Sequence, residues 1–269
     1  MDSIPELIVR SGRLYCDFDE LEQATLINSI LRSTLRTLHI SGQVRSDLKG
    51  ELKEMDSRMN PITVLRIRKS DFRRIRFHRN NLLYKFLLTI CELVYDASSA
   101  NENGFSIQFQ NYIRDEIKMR KLFESFIRNF LRRELTNIFE ISSKAMRWDA
   151  IPLDSEASTV LPRMLTDVFL RNEEGIIIVE CKYTPEVLKE NLAVERLRSP
   201  HLYQIYSYLL HADSLYRPSR LKGILLYPMV DRELSFRYKF PKFDLSVATL
   251  NLNLPWQEIH TKILGLTKF

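Results

Sequence analysis

At 269 residues, 45% of them apolar, the chain is long enough to bury one large core or two small ones. Its 40 basic and 34 acidic side chains leave a net charge of +6, an excess that suits a nucleic-acid partner without requiring one. The three cysteines, Cys16, Cys91 and Cys181, are widely spaced and odd in number, which excludes a disulfide framework and zinc-ligand spacing and points to a reduced, cytoplasmic setting.

Residues 19–41 carry Leu21, Leu26, Ile27, Ile30, Leu31, Leu35 and Leu38 at helical spacing, and Gly42 stops the helix. A second, more polar helix is expected over 44–59, ended by Pro61. Residues 62–69 and 72–79 read as strand-like or extended. In that form Arg74, Arg76 and His78 line one face, which serves either as a phosphate contact or as a solvated surface. Residues 80–96 form a third helix capped by Asn80 or Asn81. Lys85 and Glu92 interrupt it, and it is too short to span a bilayer, so no membrane association is expected. The polar run 97–104 marks a boundary between a mainly helical arm (1–100), for partner or DNA contact, and a second domain (101–269).

Residues 105–112 alternate like a strand. Residues 117–135 form an amphipathic helix that buries Leu122, Phe123, Phe126, Ile127, Phe130 and Leu131, with Arg120, Lys121, Arg128, Arg132 and Arg133 outside. A short strand at 137–142 precedes two β-prone runs, 163–171 and 175–183. Then come a helix from Ser199 (as cap) with Pro200 first, a buried strand at 222–228, strands near 234–240 and 247–253, and a final helix at 255–266. No internal repeat is present.

The two runs joined by Asn172-Glu173-Glu174-Gly175 carry the chemistry. If those four residues turn, Arg171 pairs with Ile176, and counting outward puts Asp167 opposite Glu180. Lys182 then shares a face with Glu180. Carboxylates facing each other across a ladder repel, and a cation between them relieves the repulsion. Oxygen ligands of this kind suit Mg²⁺, with Mn²⁺ as a substitute. Lys182 is placed either to orient a water or to offset charge on phosphate oxygens. The plain alternative is a solvated hairpin, but the continuous apolar run Ile176–Val179 indicates a strand covered on both faces.

Asp167, twelve intervening residues and then Glu180-Cys181-Lys182, within this order of elements, resemble the PD-(D/E)xK nucleases. The residue before the aspartate is Thr166 rather than proline. Residues 122–127 (LFESFI), the ECKY hairpin, 201–210 (HLYQIYSYLL) and 223–228 (GILLYP) look like the McrC family, the nuclease subunit of McrBC restriction systems. The upstream GRLYCDFDE segment and helix 80–96 also fit it. The resemblance implies an α/β, restriction-endonuclease-like core, with a mixed sheet flanked by helices, behind a mainly helical N-terminal region. It implies a Mg²⁺-dependent DNA endonuclease working with a separate McrB-like P-loop GTPase. Asp167 and Glu180 would bind the metal and Lys182 would be the catalytic lysine. Glu124 matches an acidic residue on the first core helix; its plain reading is a solvated helix position. Gln204 and Tyr208 match a Gln-x-x-x-Tyr element whose i, i+4 spacing shares one helix face, and ordinary packing is the alternative. The chain is expected to lack most of the N-terminal region with which McrC proteins engage McrB, which leaves GTPase stimulation and docking open.

No G-x-x-x-x-G-K-[ST], H-E-x-x-H or G-x-S-x-G occurs, so any motor must be a separate protein. His201 and His211 read as structural or surface groups. The rival function is a non-catalytic DNA-binding or assembly subunit that retains a nuclease fold. A repair nuclease acting on DNA ends is a third option.

Overall fold

The computed structural model describes residues 25–42, 44–77, 82–99, 116–148, 150–154, 156–184, 186–191 and 194–269. The start of the first expected helix, the GRLYCDFDE segment, the Asn80 and Asn81 caps, His78 and the expected strand at 105–112 lie outside them. The chain divides into two compact units between Ser99 and Ala100.

The first unit is helical: α1 (Leu26–Ile40), α2 (Ser46–Arg58), the short α3 (Lys69–Arg74) and α4 (Leu82–Ser99). Thr25 caps α1, its hydroxyl accepting from the Asn28 amide at 3.2 Å. Ile30, Leu88 and Cys91 form a small core with Leu26, Ile27, Leu31 and Phe72 around it. Buried Arg32 ties α1 to the end of α2. Its guanidinium donates to Asp56 Oδ1 at 2.9 Å, Asn60 O at 2.6 Å and Asn60 Oδ1 at 3.0 Å, and also to the Ile62 carbonyl. Within the basic segment only residues 69–74 differ from the extended expectation. Asp71 Oδ2 accepts from the Arg68 amide at 2.9 Å, and Lys69 Nζ reaches Asp96 Oδ2 at 2.5 Å, so α3 is capped and pinned as a helix. Arg74 therefore sits in a last helical turn, 3.8 Å from Asp71, rather than on a strand face.

The second unit is a six-stranded mixed sheet flanked by helices, as expected. Helix α5 (Glu116–Leu135) precedes β1 (Glu140–Ser142), β2 (Ala145–Met146), α6 (Ala157–Val160), β3 (Met164–Leu165), β4 (Val168–Arg171) and β5 (Ile176–Cys181). These are followed by β6 (Leu188–Asn191), β7 (Val194–Leu197), α7 (Ser199–Tyr216), β8 (Leu221–Pro228), β9 (Ser235–Lys239), β10 (Asp244–Leu250) and α8 (Trp256–Leu266). The sheet order is β1-β4-β5-β8-β10-β9. Strand β5, buried at every residue, pairs antiparallel with β4 and parallel with β8, as its unbroken apolar run requires. One face packs Ile178, Leu225 and Leu245 under Ile205, Leu209 and Ala212 of α7. The other packs Ile177, Val179 and Ile224 under Phe123, Ile127 and Leu131 of α5 and Ile263 of α8. Leu122, Phe126 and Phe130 are only partly covered, so the buried stripe of α5 is narrower than its sequence indicates. Gly223 lets α7 approach β8: a Cβ there would lie 2.6 Å from Leu209 Cδ1.

The hairpin has the expected register, Arg171 opposite Ile176 and Val168 opposite Val179. Asn172 shapes the turn, its Oδ1 accepting from the amides of Glu174 at 3.0 Å and Gly175 at 3.1 Å. The run 163–171 is not one strand. Met164–Leu165 pairs with β2 in a separate ribbon, and Val168–Arg171 joins the main sheet. The change of partner falls at Thr166-Asp167. It is held by Thr166 N donating to Lys144 O at 3.0 Å and Ser143 Oγ donating to Thr166 O at 2.7 Å. Between β2 and β3 the chain makes an excursion in which Ile151, Leu153 and Val160 are exposed; the Trp148 indole, donating to Pro162 O at 2.5 Å, closes its base. The ribbon β6–β7 has no counterpart among the expected strands. Strand β10 starts three residues earlier than expected, in register with Lys222 of β8. Arg198, not Ser199, occupies the cap position of α7.

Candidate active site

The end of β5 gathers the residues singled out by the sequence. The β4–β5 ladder ends at the Val168–Val179 pair, and Asp167 and Glu180 are the next residues on its two strands. Asp167 Oδ2 accepts from the Cys181 amide at 2.8 Å, so the carboxylate takes a main-chain bond at the point where the β4 ladder stops. Glu180 and Lys182 point to the α7 side. Both are buried, unusual for charged groups without compensation. Lys182 Nζ donates to Glu180 Oε1 at 2.6 Å and to Gln204 Oε1 at 2.6 Å. Gln204 Nε2 donates to Tyr208 OH at 2.9 Å, and that hydroxyl donates to Leu165 O at 3.1 Å. A single polar chain thus runs from Glu180 across β5 and α7 to the strand leading into Asp167. Gln204 and Tyr208 belong to it through hydrogen bonds as well as packing.

Glu124 stands one residue away from this group. Its carboxylate is held by Arg128, one turn along α5, and Arg128 Nε donates to Asp167 O at 2.9 Å. Arg128 is a member of the site that the sequence reading assigned only to a basic helix face; its i, i+4 spacing to Glu124 was the available signal. His201 is a second. It sits half-buried in the first turn of α7 with Nδ1 3.0 Å from Tyr227 OH. Burial, then the charges of Lys182 and Arg198, lower its pKa to about 4, so it is a neutral imidazole.

The electrostatics leave the carboxylates short of positive charge. Burial raises Asp167, opposed by the Cys181 amide, Lys182, Arg128 and Arg120. Burial and then the charge of Asp167 push Glu180 up to about 7 despite Lys182 and the Asp167 main-chain amide. Glu180 Oε2 is buried and has no hydrogen-bond partner. Among the described residues no group of three or more His, Cys, Asp or Glu side chains is placed to hold a metal ion. The protein donors are therefore two carboxylates, one with an orphaned oxygen. That set suits a hard divalent cation that keeps most of its ligands as water or phosphate, rather than zinc with its three or four nitrogen and sulfur ligands.

A mixed sheet flanked by helices, with a carboxylate pair and a lysine at the end of its central hairpin, has the form of a restriction-endonuclease-like core. The chain belongs to the McrBC 5-methylcytosine restriction system component family, whose profile matches residues 2–228. It is 30% identical over 255 residues to the type IV methyl-directed restriction enzyme EcoKMcrBC of Escherichia coli (strain K12), covering 95% of this chain and 73% of that protein. It is also similar to a chain in the refined half-complex from the tetradecameric assembly of Thermococcus gammatolerans McrB AAA+ hexamers with bound McrC. There the identity is 17%, the TM-score is 0.39 and 90% of this chain is matched. The chain spans about half the length, 52%, of that solved chain. Among the described residues no helix is long and apolar enough to cross a membrane.

Proposed function

We propose that this chain is the DNA-cutting subunit of a methyl-directed restriction system, a cytoplasmic metal-dependent endonuclease that hydrolyses phosphodiesters with Asp167, Glu180 and Lys182. The observation that carries this reading is the orphaned, buried Glu180 Oε2 beside Asp167 and Lys182. A buried carboxylate oxygen with no donor costs folding energy, and a cation held by Asp167 and Glu180 removes that cost. Mg²⁺, or Mn²⁺ in its place, polarises a phosphate and acidifies a bound water when it occupies such a site.

The remaining steps belong to the chain's own groups. An ammonium carries three N–H donors, and Glu180 and Gln204 take two of those on Lys182. The third is left for an attacking water or a phosphate oxygen. Gln204, fixed by Tyr208, orients the lysine. Arg128 anchors the main chain of Asp167 and positions Glu124 at the edge of the site. With no P-loop in its sequence, the chain works with an McrB-like GTPase as motor and reader of the methylated site, and residues 1–100 serve partner or DNA contact.

The test is to purify the chain with its motor partner and supply Mg²⁺, GTP and methylated DNA. Wild type is expected to cut; Asp167→Asn and Lys182→Ala are expected to remain folded and to lose cutting. Cutting by both variants at the wild-type rate would reject the site. Absence of carboxylate-dependent Mn²⁺ binding would favour the non-catalytic assembly role.

A further inference from the structure

A phosphodiester is itself an anion, so a mouth built around two carboxylates needs positive charge that no acidic side chain of the protein has already taken. Among the described residues two arginines meet that condition, from opposite sides. Arg120 lies on α5 one turn before Glu124 and two before Arg128, so the three share a helix face. The Arg128 bond to the Asp167 carbonyl fixes where that face points. The Arg120 guanidinium is exposed and close enough to Asp167 to favour its ionised form. Among the described residues it has neither a hydrogen-bond partner nor an ion pair. Arg198 stands at the cap of α7, across the hairpin. Its Nη1 donates to Thr184 Oγ1 at 3.1 Å, two residues beyond Lys182, and its charge is felt by His201 together with that of Lys182. Among the described residues no carboxylate pairs with Arg198 either. A guanidinium fork matches phosphate oxygens in geometry and stays charged.

We propose that Arg120 and Arg198 are positioning residues, each holding one DNA phosphate on either side of the scissile one. The cut strand then runs from α5 across the carboxylate pair to the start of α7. This inference rests on the nuclease reading and adds to it the path of the substrate.

The test compares the wild-type chain with Arg120→Gln, Arg198→Gln and a control of equal charge change, Arg171→Gln. Arg171 lies at the far end of β4, its guanidinium 5.4 Å from the centre of the Tyr216 ring. Each protein is titrated onto a short DNA duplex with Ca²⁺ in place of Mg²⁺ at several salt concentrations, and Mn²⁺ binding is measured separately by calorimetry. The slope of log affinity against log salt is expected to shrink by about 0.9 for each of the two variants and to stay unchanged in the control. Mn²⁺ binding is expected to be retained in all four at a pH where Asp167 is ionised. In cutting assays the half-saturating DNA concentration should rise while the rate at saturating DNA is kept. Equal slopes in all four proteins, with wild type cutting DNA, would overturn the phosphate assignment and leave the nuclease reading in place. Loss of Mn²⁺ binding in either variant would also overturn it, because the arginine would then be supporting the carboxylates. A wild-type chain that neither binds nor cuts DNA would overturn both.

Discussion

Replacing Glu180 by Gln should stabilise the metal-free protein at neutral pH while disabling its site. The Glu180 carboxyl is pushed from an ordinary 4.5 up to about 7, and the attraction of Lys182 is already included in that value. Between these two values the folded chain holds a proton that the unfolded chain has released. Raising the pH through the window therefore works against the folded form: stability present below the lower value is lost by the time the upper one is reached. Each pH unit is worth about 1.4 kcal/mol, so this one group withdraws on the order of 3 kcal/mol. Glutamine keeps the size of the side chain and offers Lys182 an amide oxygen where Oε1 stands at 2.6 Å, but it does not titrate. Glu180→Gln should be flat across the window and, at pH 8 without metal, more stable than wild type by up to about 3 kcal/mol. Adding a divalent cation at a hundred times its dissociation constant should return about 2.7 kcal/mol to wild type and little to the variant. Urea unfolding at pH 5 and pH 8, with and without Mn²⁺, measures all four quantities; both tryptophans, Trp148 and Trp256, lie in the second unit and report on it. A metal-free wild type that gains stability over the variant from pH 5 to 8, or a cation that stabilises both equally, would refute the reasoning.

Tyr208→Phe removes the hydroxyl that accepts from Gln204 and donates to Leu165 O. It should cost about 1–2 kcal/mol in urea unfolding and slow cutting with Mn²⁺ affinity retained, because Lys182 loses its support and the carboxylates do not. Gly223→Ala places a methyl 2.6 Å from Leu209 Cδ1 and 3.1 Å from Leu245 Cδ1; the overpacking should lower stability by about 1–3 kcal/mol, read from the urea midpoint. Arg32→Met breaks the buried contacts to Asp56, Asn60 and the Ile62 carbonyl. A loss of about 3 kcal/mol or more is expected, measured as faster amide exchange across residues 26–62.

The hairpin was legible in the sequence because its signals are local and redundant: a turn built on Asn172, an unbroken apolar run, and a period of two that fixes which residues face each other. Helices α5, α7 and α8 were legible for the same reason, at a period of 3.6. What escaped depends on partners far along the chain. The split of 163–171 into β3 and β4 is imposed by Lys144 and Ser143, about twenty residues away. The α3 turn depends on Asp96, which cannot be paired with Lys69 from spacing alone. The ribbon β6–β7 pairs Lys189 with Arg196 and Glu190 with Glu195 and so has no apolar alternation to announce it. Within the site, Asp167, Glu180 and Lys182 came from register, whereas Arg128 and His201 join it only once α5 and α7 lie against the sheet.

The excursion between β2 and β3 is tethered at one neck. Thr166 is fastened to Lys144 immediately before Asp167, and the Trp148 indole clasps Pro162 across the base. Both tethers lie between the loop and the carboxylate. Lengthening, shortening or exchanging residues 150–161 should therefore leave Asp167 beside Glu180, making this loop a place where variation among relatives can accumulate without disturbing the carboxylate pair.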